Sequence, residues 1–98
     1  MRVYISGPIT GHKDYMLNFE DAETYLTEQG YIVFNPAAVN SQMPTEITYE
    51  EYMEFDMKML SMCDTIYLLK GWEQSCGANR ELGYAMAAGM KVWKEEEE

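Results

Sequence analysis

The chain has 98 residues, 47% of them hydrophobic and 13% aromatic, which gives a globular core and argues against a disordered chain or two domains. Its formal net charge is −10, and four of those charges form the terminal run Glu95 to Glu98, so residues 1–94 are expected as a single domain and 95–98 as a solvated acidic tail. The body shows no Lys/Arg stripe, which argues against a nucleic-acid polymer as partner, because phosphate neutralisation dominates that affinity.

Arg2 to Ser6 reads as a first strand, stopped by Gly7-Pro8. Residues 15 to 29 place Tyr15, Phe19, Ala22 and Leu26 at helical spacing with acids on the other faces, and Gly30 suits the C-terminal stop. Tyr31 to Phe34 is a second short β-rich run, ended by Asn35-Pro36. The stretch from there to Ile47 contains Pro44 and few apolar residues and reads as loop. Thr48 and Glu51 match a capping box, so a second helix is expected to run from there to about Met62. Thr65 to Leu69 gives a third strand, residues 78 to 88 a third helix with Gly89 after it, and Lys91 to Trp93 a short fourth strand. Strands separated by helices of this length are most simply parallel, with right-handed crossovers and helices on both faces. The expected fold class is α/β, a small open Rossmann-like or flavodoxin-like sheet of strand order 2-1-3-4. In that order the chain reverses between the first and third strands, setting the Gly7 loop and the Gly71 to Gly77 loop on either side of one crevice.

Four features converge on that crevice, each with a plain structural alternative. Tyr4 and Gly7 end the first strand, as a ligand wall approached closely at the glycine or simply as a β-favouring aromatic and a turn glycine. Asp56 falls on the apolar stripe of Tyr52, Met53, Met59, Leu60 and Cys63; a buried acid there needs a partner, unless it sits at the stripe's edge and reaches water. Ser75 and Gly77 precede the third helix, where free N–H groups attract anions, although serine is also an ordinary N-cap. Glu81 is read at the opening of that helix, as a reactive carboxylate or as a favourable charge in a first turn. Asp64, at the entrance to a strand, reads as a capping or turn residue.

Neither GxGxxG nor GxxxxGK[ST] is present, so nicotinamide and P-loop chemistry lack their phosphate cradles. Two carboxylates beside an anion-attracting helix start suit cleavage of a C–N glycosidic bond, in which positive charge builds on the sugar. One carboxylate captures C1′ while an acid assists the departing base, and partial desolvation raises one of the two pKa values.

Tyr4-x-x-Gly7-Pro8, Asp56 with Asp64 eight residues on, and Ser75-x-Gly77-x-x-x-Glu81-x-Gly83-x-Ala85 together resemble the nucleoside 2-deoxyribosyltransferase superfamily. That superfamily includes a deoxynucleoside 5′-monophosphate N-glycosidase branch, and the chain is most similar to its compact relatives in phage and bacterial genomes. The resemblance spans nearly the whole chain and implies Glu81 as nucleophile, with Asp56 orienting it or handling the base proton. It also implies Tyr4 and Gly7 in the sugar and base pocket and Ser75 against a 5′-phosphate, with a small-molecule nucleoside or nucleotide as partner and no cofactor. A non-catalytic nucleotide-binding or sensing protein of the same fold is the alternative.

Cys63 and Cys76 lack CxxC spacing and His12 is the sole histidine, so no metal site is expected and the cysteines read as reduced thiols of a cytoplasmic protein. No apolar run has the length of a signal peptide or a membrane span. The sequence ends soon after the fourth strand, where the transferases carry a segment completing a neighbour's site. With Tyr52, Met53, Phe55, Met57, Met59 and Met62 on one helix, a homo-oligomer, dimer or larger, is expected.

Overall fold

The computed structural model describes residues 1–95. Four parallel strands, β1 (Arg2–Ser6), β2 (Ile32–Phe34), β3 (Thr65–Leu68) and β4 (Lys91–Lys94), form one sheet in the order β2-β1-β3-β4. They are joined by helices α1 (Tyr15–Glu28), α2 (Pro36–Asn40), α3 (Tyr49–Ser61) and α4 (Cys76–Ala87). The α/β class and the strand order are those expected from the alternation of the elements. Tyr4 lies opposite Phe34 on one side and Ile66 on the other, so β1 is central and its side chains are covered on both faces.

The two faces have separate cores. Val3, Ile5, Tyr67 and Leu69 pack with Phe19, Ala22 and Leu26 of α1 and Ala37 of α2. On the other face, Tyr4, Ile66 and Leu68 pack with Leu60 of α3 and Ala85 of α4. At α3 the capping box forms in both directions: Thr48 Oγ1 accepts the Glu51 N–H at 3.2 Å and Glu51 Oε1 accepts the Thr48 N–H at 2.8 Å.

The segment expected as loop before Ile47 contains α2. Asn35 Oδ1 accepts the Ala38 N–H at 3.1 Å and Pro36 takes the first helical position, so the Asn-Pro pair that ends β2 also starts a helix. The third expected helix begins two residues earlier than its apolar pattern suggested, with Ser75 as its N-cap. Of the expected acidic tail, Glu96 to Glu98 lie outside the described residues, and Glu95 accepts the Lys70 N–H at 2.9 Å.

Candidate functional site

β1 delivers two hydroxyls to one carboxylate. Residues two apart on a strand share a face, so Tyr4 and Ser6 both turn toward α4, away from the side taken by Val3 and Ile5. Tyr4 Oη donates to Glu81 Oε2 at 2.7 Å and Ser6 Oγ donates to Glu81 Oε1 at 2.6 Å. Glu81 is 5% exposed, and it stands in the second turn of α4, past the first-turn position at which a charge simply answers the helix dipole.

Burial pushes the Glu81 carboxyl up to about 7, against the pull of the Ser6 and Tyr4 hydrogen bonds, which favour its ionised form; the nearby Asp56 charge raises it further. The Tyr4 phenol is held well above its ordinary value, first by burial and then by the charges of Glu81 and Asp56. It therefore remains a donor across the whole working range of pH.

Asp56 reaches the same region from α3. It is 6% exposed, so it lies on the buried stripe of the helix and not at a wet edge. Desolvation raises its carboxyl to about 6, opposed by a hydrogen bond from Asn40 Nδ2 to Asp56 Oδ1 at 2.9 Å. Asn40 sits at the end of α2, in a segment whose sequence reads as loop, so no pattern marks it as a site residue.

Asp56 and Glu81 line a cavity of about 390 Å³ whose wall also includes Gly7, Ser75 and Gly77. The crevice expected at the chain reversal thus contains five of the six residues singled out from the sequence, with Tyr4 behind Glu81. The cavity is bounded further by Pro8, Ile9, Thr10 and His12 from the loop after β1 and by Met53 of α3. A second cavity, of about 310 Å³, shares Asp56 and Ile9 with the first and extends toward Tyr15, Asn40 and Tyr52. Asp56 therefore stands between two spaces, each large enough for a ring-sized group.

At Gly7 a Cβ would lie 2.8 Å from Leu69 Cβ, so close packing of β1 on the start of the β3–α4 loop requires the glycine, whose backbone still lines the cavity. At Gly77 a Cβ would come to 3.4 Å from Tyr49 Oη and 3.7 Å from Met53 Sδ, so the first turn of α4 lies in ordinary contact with α3. Ser75 Oγ accepts the Ala78 N–H at 3.1 Å as a regular N-cap and also faces the cavity. Asp64 is a turn residue, accepting from the Arg2 N–H at 3.3 Å and the Thr65 hydroxyl at 2.9 Å.

Ser6 is a site residue not singled out from the sequence, although the strand period, which places it two residues beyond Tyr4 and on the same face, is the signal that could have found it. His12, by contrast, has no local pattern that marks it as a wall residue. Among the described residues, no group of three or more His, Cys, Asp or Glu side chains is placed to hold a metal ion, and no helix is long and apolar enough to cross a membrane.

The fold is similar to that of a solved 2-deoxyribosyltransferase from the psychrotolerant bacterium Bacillus psychrosaccharolyticus, with a TM-score of 0.77 at 18% identity. That likeness of fold covers 96% of this chain and 71% of the other. No curated protein matches the chain. Residues 1–94 match the domain of unknown function DUF4406, and the chain belongs to that family.

Proposed function

We propose that the protein is a nucleoside 2-deoxyribosyltransferase or deoxynucleoside 5′-monophosphate N-glycosidase, breaking an N-glycosidic bond with Glu81 as nucleophile. The observation that carries this reading is a buried carboxylate whose two oxygens each accept a hydroxyl, at the wall of a cavity shared with a second buried carboxylate. An oxygen of Glu81 bonds to C1′ as the C1′–N bond breaks, its electron pair leaving with the base. The base takes a proton from Asp56, whose raised pKa keeps a fraction protonated near neutrality. In the second half, water or another base attacks C1′, the C1′–O bond breaks, and its electron pair returns to Glu81. Asp56 receives the proton lost by the incoming nucleophile. Desolvation without strong pairing is costly for two carboxylates, and such a cost is normal at a site that must stabilise a developing cation.

The layout supports an order along the crevice. The N-cap Ser75 and the first turn of α4 are suited to a 5′-phosphate, Glu81 to C1′, and the space beyond Asp56, with its two tyrosines, to the departing base.

The direct test incubates the protein with a panel of 2′-deoxynucleosides and their 5′-monophosphates and follows released base by chromatography, with thermal-shift measurements alongside. Base release that Glu81→Gln eliminates is the expected result. Stabilisation by nucleotides without base release would move the protein to the sensing alternative, and neither response would remove the nucleotide reading.

A further inference from the structure

The carboxylate of Glu81 is held at both ends by β1, and the two holders differ in chemistry. Tyr4 Oη is carried on a rigid ring, and its proton points to Oε2. Ser6 has a rotatable hydroxyl, 2.6 Å from Oε1, and is 1% exposed. It does not line the cavity, so a ligand seated there reaches Glu81 without touching Ser6.

Two donors on two oxygens suit only one protonation state. An ionised carboxylate accepts from both hydroxyls, whereas a protonated one carries a hydrogen of its own, and one hydroxyl must then turn away or become an acceptor. Resting on the reading of Glu81 as nucleophile, we propose that Ser6 is a positioning residue: with Tyr4 it fixes both oxygens of Glu81 and favours the ionised, attacking form of the carboxyl. The other groups acting on Glu81 are Asp56 from α3, whose charge opposes ionisation, and Arg80 on α4, whose charge favours it weakly from the exposed side of the helix. The guanidinium of Arg80 is already engaged by Glu50 at 3.2 Å, which leaves β1 as the main source of selection. When C1′ bonds to an oxygen of Glu81, that oxygen becomes an ester oxygen and a poor acceptor, so its donor must swing free. Rotation about Cα–Cβ carries the whole Ser6 hydroxyl away, whereas the Tyr4 oxygen stays where its packed ring holds it.

The test compares wild type with Ser6→Ala and Ser6→Thr by two readouts: the carbon-13 NMR titration of the Glu81 carboxyl without substrate, and the pH profile of base release. Ser6→Ala is expected to move both the titration and the acid limb upward by about one pH unit, as for loss of one hydrogen bond to a charged group. The activity near pH 6 falls about tenfold, KM is nearly unchanged, and Ser6→Thr restores the wild-type profile. A Glu81 titration that is the same in folded Ser6→Ala and wild type overturns the inference. Should Ser6→Ala fail to fold, Ser6→Cys, which keeps the size with a weak donor, must show the same upward shift, and an unmoved titration there also overturns it. The nucleophile reading fails separately, by base release that survives Glu81→Gln, since the NMR titration reports on Ser6 whatever the protein turns over.

Discussion

Val3 and Ile5 of β1 point toward α1, Tyr4 and Ser6 toward α3 and α4, and all four are 1% exposed or less. The α1 face is filled by aliphatic and aromatic groups whose contacts are non-directional and require only that volume be matched. The opposite face buries Asp56 and Glu81 beside Leu60, Ile66 and Leu68, and there every polar atom needs a partner in a particular place. One strand thus packs a wholly apolar face with its odd residues, while its even ones join a core that also holds the buried Glu81 carboxyl. The second face costs the folded state free energy whenever its carboxylates are charged, and the first carries no such cost.

The largest expected effect is on the polar face: Glu81→Gln or Glu81→Ala lowers base release by about a thousandfold or more with the fold intact, by circular dichroism and rate measurement. A folded Glu81→Ala protein that still turns over would break the division. On the apolar face, Leu26→Ala is expected to cost about 2–5 kcal/mol in urea denaturation, because Leu26 is 1% exposed among Val3, Phe19 and Tyr67. Base release per folded molecule should stay the same.

The pH dependence of stability sharpens the same contrast. Glu81 ionises at about 7 in the folded chain against an ordinary 4.5, so between those values the folded state binds more protons than the unfolded one. Its contribution is most favourable at low pH and is lost as pH rises through that window, by roughly 3 kcal/mol. Asp56 acts in the same direction up to about 6. Urea midpoints at pH 5 and pH 8 should therefore differ less in Glu81→Gln than in wild type, with the variant the more stable at pH 8. An equal pH dependence in both proteins would show that Glu81 is not desolvated.

At the mouth of the crevice the effects are smaller. Ser75→Ala should cost about 1 kcal/mol through the lost cap, and weaken deoxynucleoside monophosphates more than free deoxynucleosides in titration calorimetry. Equal weakening of both would end the 5′-phosphate assignment. The last expectation concerns α3 and its C-cap, where Phe55 is 45% and Met62 42% exposed while Met53 is buried. At least a dimer is expected by light scattering, with Phe55→Glu shifting it toward monomer, and a wild-type monomer that turns over substrate would show that no neighbour is needed.

Much of this was legible in the chain because its signals are local. The capping box at Thr48 and Glu51 formed as read, and the strands fell within a residue of their apolar runs. α2 has no sequence signal of its own because five residues, little more than one turn, are too few to show a helical repeat. Its Asn35-Pro36 start also reads as the end of a strand, so no local pattern marks Asn40 as the partner of Asp56. Placing Glu81 at the opening of its helix understated its burial, since the second turn of α4 lies against β1 and the first turn borders the crevice.

The sequence by itself determined the α/β alternation, the strand order implied by its crossovers and the crevice at the chain reversal. These follow from hydrophobic periodicity, turn residues and the handedness of parallel connections. It also put Tyr4 and Ser6 on a common face, through the period of the strand. Tertiary structure alone decided that this face meets Glu81 with one hydroxyl on each oxygen, and that Asn40 restrains Asp56. The physical reason is separation: Tyr4 and Glu81 lie 77 residues apart in the chain, and a 2.7 Å hydrogen bond between them depends on how the helix packs on the sheet, which no local pattern encodes.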